Sequence, residues 1–174
     1  MPHFRKANLA DYDRVMALFD NVTDAMQGQK FSPRWKKGVY PEPDVVRDQI
    51  AKGNLYVGVL DNLFVSTFTL NHEPTDGYDQ VAWPTEASPD KVAIIHLVAV
   101  RGECQHRGYA LQAVQEALHI ARDAGNQVMR LDVCEYNAPI TKLYELAGFY
   151  YVDTIPLFYT ATGTCGYLMY ECKL

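Results

Sequence analysis

The sequence predicts one α/β (or α+β) domain spanning residues 1–174. Three observations carry that expectation. A length of 174 residues suits a single hydrophobic core. The second half alternates strand-like and helix-like segments, the order of a sheet with helices packed on it. Val92–Val100 is an almost unbroken run of Val, Ala, Ile and Leu, as in a strand covered on both faces.

The elements follow in order. Met1 to Lys6 is mixed polar and basic with no apolar signal core, so a cytoplasmic protein is expected. Asn8 opens the first helix, with Asp11 as a weak capping partner. Val15, Phe19, Val22 and Met26 form its apolar stripe. Pro33, Pro41 and Pro43 interrupt the chain, and a short helix from Asp44 to Lys52 stops at Gly53. Leu55 to Leu60 and Leu63 to Leu70 read as strands joined by an Asp61-Asn62 hairpin turn. Residues 71–90 hold Pro74, Gly77, Pro84 and Pro89 and read as a loop. Ala110, Leu111, Val114, Ala117, Leu118 and Ala121 mark one face of a long helix ending at Gly125. Val128 to Val133 is the next strand. Ile140, Leu143, Tyr144 and Ala147 mark a short helix before Gly148. Phe149 to Phe158 and Tyr167 to Lys173 close the sheet.

Composition excludes several functions. Hydrophobic residues make up 48% and charged residues 21%, ordinary globular usage. A net charge of −5 argues against a sequence-independent nucleic-acid binder, which needs clustered cations. No apolar run approaches the ~20 residues of a membrane span. The four cysteines form no C-x-x-C pair and the five histidines are scattered, so neither a disulfide scaffold nor a metal site is expected.

The turn after the buried strand reads Val100-Arg-Gly-Glu-Cys-Gln105-His-Arg-Gly108-Tyr-Ala110. It lacks the G-K-[ST] ending of a phosphate loop and the G-x-G-x-x-G of a dinucleotide turn. It still has the makings of an anion cradle. A helix start leaves unpaired N–H groups and the positive end of a dipole. Gly108 admits close approach, and Arg101, His106 and Arg107 add positive potential. Taken alone, the spacing fits an ordinary strand-to-helix turn equally well.

Val98-Ala-Val100 followed by Gln105-x-x-Gly108-x-Ala110 resembles the acetyl-CoA motif of the GNAT superfamily of N-acetyltransferases. About thirty residues later, Asn137, Leu143-Tyr144-Glu145 and Gly148-Phe149 resemble its second signature. The resemblance is firm over Val92 to about Tyr151; earlier, it rests on element order. Gly102 departs from it, because a proline is frequent there, and Ala110 replaces a third glycine. What the resemblance implies is a mixed sheet of about seven strands with about four helices, splayed between the fourth and fifth strands, with acetyl-CoA as acetyl donor and no metal. Val98, Ala99 and Val100 would pair with the pantetheine arm. His106, Arg107, Gly108, Tyr109, Ala110 and Leu111 would wrap the pyrophosphate, with Gln105 opening the motif. Asn137 would contact the arm, although Asn is also a good helix N-cap before Ala138-Pro139.

Tyr144 resembles the family's general acid, which protonates the departing thiolate; its apolar neighbours also suit a core tyrosine. For the base, His96 is the only titratable residue within the buried strand, two positions from Val98 and hence ~7 Å away on the same face. Asp132 lies five residues before Asn137, where some N-terminal acetyltransferases carry a glutamate base. Glu135 is a third candidate, and Asp132 could instead pair with Arg130. Trp35, Tyr40 and Trp83 fall in segments that would flank the acceptor. Glu73, Asp76, Asp79, Glu86 and Asp90, with no intervening cation before Asp90, suggest an acidic rim and a cationic acceptor.

The activity expected is acetyl transfer to a primary amine of a small molecule or peptide, by direct attack in a ternary complex. A non-catalytic acyl-CoA-binding sensor or scaffold is the alternative, and an oxidoreductase is disfavoured by the missing glycine fingerprint. Many proteins of the superfamily are dimers, so a homodimer is open; no nucleic-acid or membrane partner is expected.

Overall fold

The computed structural model describes residues 1–174. Seven strands form one sheet: β1 (His3–Lys6), β2 (Leu55–Leu60), β3 (Leu63–Asn71), β4 (Val92–Val100), β5 (Val128–Cys134), β6 (Tyr150–Tyr159) and β7 (Gly163–Lys173). Four helices flank it: α1 (Tyr12–Met26), α2 (Pro43–Ala51), α3 (Tyr109–Asp123) and α4 (Thr141–Leu146). The strand order is β1-β2-β3-β4-β5-β7-β6. Only β4 and β5 run parallel. No helix is long and apolar enough to cross a membrane.

Most local signals act as expected. The Asn8 side chain accepts from the Ala10 N–H at 2.9 Å, and Asp11 accepts from the Asn8 N–H at 3.0 Å, closing the capping box. The box caps a single 3-10 turn, and α1 proper starts at Tyr12. Asp61 and Asn62 both take positive φ, +47° and +63°, as a type I′ hairpin requires. Two elements differ. β1 was not foreseen because its residues are polar; it is an edge strand, and its backbone pairing with β2 supplies the order. β7 begins four residues before Tyr167. Gly163 to Gly166 carry no strand pattern and are extended by pairing with Tyr159 to Pro156 of β6.

Helices cover both faces. α1 and α2 bury Val15, Leu18, Phe19, Val46 and Ile50 against Leu55 and Val57. On the opposite face α3 lays Ala113, Val114, Ala117, Leu118 and Ala121 on Phe68, Ala93, Met129 and Leu131. Alanines at intervals of four bring the α3 backbone close to the sheet. The 71–91 connection packs Tyr78 and Val81 onto Val128, Leu157 and Met169, so it is a covering layer and not a free loop.

The feature that positions the site is the parting of β4 and β5. They pair only over Val92–Ile94 and Val128–Arg130. Beyond that, β4 continues against β3 to Val100, and β5 continues against β7 to Cys134. A bulge in β4 helps turn it away. Thr69 faces His96 and Thr67 faces Ala99, so Phe68 alone opposes Leu97 and Val98. Leu97 takes φ +51° to accommodate it.

Beside the parting lies a buried ion pair. Arg130 Nε donates to Glu171 Oε2 at 3.0 Å, and Arg130 Nη2 donates to the Thr85 carbonyl at 2.7 Å. The Tyr150 hydroxyl donates to Glu171 Oε1 at 2.6 Å. The Glu171 side chain is 0% exposed and that of Arg130 12%. Trp83 lies under the guanidinium, 4.4 Å from it. Removing one member of such a pair strands the other, at a cost of about 3–5 kcal/mol. Glu171→Ala is therefore expected to lose about that much in urea unfolding, whereas truncating an exposed carboxylate such as Glu86 should cost under about 0.5 kcal/mol.

Candidate active site

The gap between β4 and β5 is a cavity of about 510 Å³. Its walls come from β4, β5, β7, the start of α3, the turn before α4, and the Trp35–Tyr40 segment. No Lys or Arg lines it, and Asp132 is its only carboxylate.

At one end lies the anion cradle. The backbone N–H groups of His106, Arg107, Gly108, Tyr109, Ala110 and Leu111 make no hydrogen bond within the protein; the first helical bond is Gln112 N–H to Gly108 O at 3.1 Å. Gly108 has φ +81°, and a β-carbon there would meet nothing within 4 Å. Donors, dipole and open space therefore face the same place, which fits a pyrophosphate. The cations are a correction. Arg101 donates from Nε to the Phe64 carbonyl at 3.2 Å and pairs with Glu103 at 3.3 Å, outside the cavity. Arg107 is exposed and does not line it either. The cradle is thus built mainly from backbone dipoles, with His106 the one of the three expected side chains that lines the cavity. Gln105 lines the cavity, but its side-chain amide donates to Val100 O at 3.3 Å and so shapes the turn.

Gly102, the departure from the family pattern, has a local cause. Its N–H donates to Asn21 Oδ1 at 2.8 Å, and an added β-carbon would stand 2.6 Å from that of Ala25. Proline offers no N–H and brings a ring where α1 leaves no room.

Val98, Ala99 and Val100 line the cavity on the side of β4 that β5 has left. Leu97 and Val98 also lack register partners on β3. This is unpaired strand edge, free to bond an extended ligand. The bulge breaks the alternation that placed His96 and Val98 on one face, yet both reach the cavity. Asn137 lines it as well. It does not cap α4, whose N-cap is Ile140 without a side-chain bond, and it takes φ −115° inside a kinked turn. Its amide makes no bond in the protein and is available to a ligand.

Across the cavity Tyr144 is 6% exposed and packs edge-on against Phe149. Its hydroxyl makes no hydrogen bond to the protein. Burial first, and the Asp132 charge second, push its pKa far up, so it is a held proton.

The opposite wall centres on Asp132. Tyr78 donates to Oδ1 at 2.7 Å, and Tyr159 lies 3.2 Å from Oδ1 and 3.0 Å from Oδ2. Arg130 does not pair with Asp132, because its cross-strand neighbour Glu171 takes it. His96 stands near the same carboxylate, and its Nε2 is buried with no partner. Burial holds its pKa below the usual imidazole value, with Asp132 and the Glu73 carbonyl acting in the opposite sense. His96 is therefore neutral near pH 7. Glu135 accepts from the Gly166 N–H at 3.1 Å outside the cavity, which removes it as a base.

Trp35 and Tyr40 line the cavity as expected; Trp83 does not. None of Glu73, Asp76, Asp79, Glu86 and Asp90 lines it, and Glu73 is engaged by Lys52 at 3.0 Å. The 71–91 segment contributes a phenol instead of a rim of charge. Tyr78 and Tyr159 had no signal in the sequence, because their role depends on a carboxylate 54 and 27 residues away; Tyr167, which lines the cavity, bonds Thr162 instead. Cys134 also lines the cavity, 3.7 Å from Cys165. Burial pushes its thiol up to about 11, so it is no ready nucleophile. No group of three or more His, Cys, Asp or Glu side chains converges as metal ligands would.

A mixed sheet parted beside a helix-start anion cradle can hold a ligand that carries a pyrophosphate on an extended arm. Residues 25–149 match the model of the acetyltransferase (GNAT) family, and the chain belongs to that family. The fold is similar to that of a GNAT-family acetyltransferase from Streptococcus agalactiae (22% identity, TM-score 0.80, covering 99% of this chain and 95% of that one). It is also similar to an acetyltransferase from Salmonella typhimurium solved with its cofactor acetyl-CoA (14%, 0.69, 100% and 94%). A third similar structure is PaiA N-acetyltransferase from Thermoplasma acidophilum in complex with coenzyme A (14%, 0.72, 100% and 99%). No curated protein matches the chain.

Gly108→Glu puts bulk and negative charge into the cradle and forces a side chain into positive φ, a strain of about 1–2 kcal/mol. Coenzyme A affinity should fall at least a hundredfold by calorimetry while the circular dichroism spectrum stays native. Unchanged affinity would remove the cradle.

Proposed function

We propose that the protein is an acetyl-CoA-dependent N-acetyltransferase that acts by direct transfer to an amine within a ternary complex. The observation that carries this reading is the pairing of a free, proton-holding Tyr144 hydroxyl with a neutral, unpartnered His96 Nε2 in one cavity. A non-catalytic sensor has no use for either group left unbonded, so the scaffold alternative is the weaker one. The similar structures holding acetyl-CoA and coenzyme A support the donor.

The cradle of His106 to Leu111 holds the pyrophosphate, and the free edge from Val98 to Val100 with the Asn137 amide holds the arm. When bound, the donor supplies an acetyl group activated as a thioester. The chain's own residues handle protons and position. Asp132 attracts the acceptor as its ammonium. His96 takes the proton that must leave before nitrogen can attack, and the nearby carboxylate stabilises the imidazolium. Tyr144 gives its proton to the thiolate as the carbon–sulfur bond breaks. Thiol and phenol lie ~1.5 pKa units apart in water, so the transfer is modestly uphill there. Burial raises Tyr144, and it also raises the thiol of a donor seated beside it, because both anions lose solvation, which keeps the gap to be bridged small.

Tyr144→Phe keeps the ring and deletes the proton. Turnover should fall by about 10²–10⁴-fold with coenzyme A affinity unchanged. A loss below about threefold, under ~1 kcal/mol, would leave Tyr144 as a core residue only.

The pH profile carries a second expectation. His96 must be neutral to act, and its folded pKa lies below 6.5. Activity should therefore be lost as pH falls through that depressed value, once the acceptor's own titration has been divided out. Tyr144 is shifted upward, so no alkaline loss should appear below about pH 10. His96→Ala should abolish the acid limb along with most of the turnover. A limb that persists in His96→Ala would assign it to another group.

A further inference from the structure

The acceptor half of the cavity has a definite chemistry, and we infer that it takes a small primary monoamine with an aromatic or branched apolar body and no carboxylate. This rests on the amine-transfer reading above and narrows it. The single carboxylate is Asp132, and no Lys or Arg lines the cavity to receive an acceptor's own anion. A free α-amino acid would bring its carboxylate beside Asp132 with nothing to neutralise it.

The second observation is the orphaned His96 Nε2, buried in the same wall. A buried ring nitrogen without a partner is costly, and an acceptor amine supplies one. The third is the aromatic series that runs outward from the carboxylate. Tyr159 bonds Asp132; Tyr40 meets Tyr159 edge-on at 5.5 Å; Trp35 meets Tyr40 at 6.1 Å. Tyr167 stacks obliquely on the inner side of Tyr159 at 4.9 Å. An ammonium seated at Asp132 therefore has ring faces and edges beyond it, a surface that accepts an apolar or aromatic body and also favours the cation itself. The next carboxylate outward is Glu42, which does not line the cavity and accepts a hydrogen bond from Thr160 at 3.0 Å. A second ammonium, as in a polyamine, finds no anchor inside. The site is thus built for one positive charge on an apolar body.

The experiment compares phenethylamine, phenylalaninamide, phenylalanine, the peptide Phe-Gly-Gly and spermidine. Thiol release from acetyl-CoA reads transfer, and calorimetry on the coenzyme A-loaded enzyme reads acceptor binding independently of transfer. Phenethylamine and phenylalaninamide should exceed phenylalanine by at least a hundredfold in kcat/KM. The amide's amine is also less basic than the acid's, but that of phenethylamine, a simple alkylamine, is not, so its advantage reports the missing carboxylate and not easier deprotonation. Asp132→Asn should weaken phenethylamine binding at least tenfold while coenzyme A binding, which reports the fold, is retained. Tyr40→Leu should raise KM for phenethylamine about tenfold and leave kcat within about twofold, the loss expected of one aromatic wall. Phenylalanine, spermidine or Phe-Gly-Gly used as well as phenethylamine overturns the inference and leaves amine transfer standing. Binding of phenethylamine without thiol release overturns amine transfer and supports the inference. Binding by none of the five overturns the inference.

Discussion

The structure depends on where the parallel pairing of β4 and β5 stops. Three register positions hold the two strands together, and each then continues with its other neighbour alone. Stopping there leaves the β4 backbone unpaired on one side, which in a closed sheet would be an uncompensated loss. Two features sustain it. The β3 ladder holds β4 on its far side, with Leu97 strained into positive φ at the bulge. The antiparallel β5–β7 ladder runs the full length of β5 and holds that strand on its new course. The space between them is bounded by bonded backbone on both outer sides, so it persists as a cavity and does not collapse. Everything assigned to the site borders it.

The electrostatics of that space follow from a second arrangement. A carboxylate inside a protein normally takes a cation, and Arg130, two residues away on β5, is available. Its cross-strand neighbour Glu171 claims it, and Thr85 and Trp83 hold the guanidinium in place. Asp132 is satisfied by neutral phenols instead. Neutral donors cover a carboxylate's lone pairs without cancelling its charge, so the negative field remains available within the cavity. Burial first, and that field second, raise the pKa of the surrounding tyrosines and keep them protonated. At the other end, the cradle presents free backbone N–H groups and the positive end of a helix dipole, with no Lys or Arg inside. The cavity is thus polar in opposite senses at its two ends, positive at the start of α3 and negative at Asp132.

The sequence by itself determined the local elements and the unpaired helix start that follows β4. Periodicity, caps and turn residues act over a few positions. That range is enough to specify α1 to α4, the Asp61-Asn62 hairpin and the helix start at Gly108. It also sufficed to single out Tyr144, Asn137 and the Val98–Val100 edge, all of which line the cavity, because those residues lie in compact motifs that resemble a known family. Tertiary structure decided the rest. β1 and the first third of β7 are strands because neighbouring backbone pairs with them, not because their side chains ask for it. Arg101 and Arg107 looked like phosphate ligands from their position in the chain, but their direction was set by Phe64, Glu103 and solvent. Asp132 looked like a partner for Arg130 until the register of β7 placed Glu171 opposite that arginine. The wall of Tyr159, Tyr40 and Trp35, with Tyr78 bonded to Asp132, joins segments separated by tens of residues, and no short-range pattern encodes which phenol reaches which carboxylate. Hydrophobic spacing fixes what each segment becomes; only the packed sheet fixes which polar groups meet, because their pairing energies depend on distances that exist only once the chain has folded.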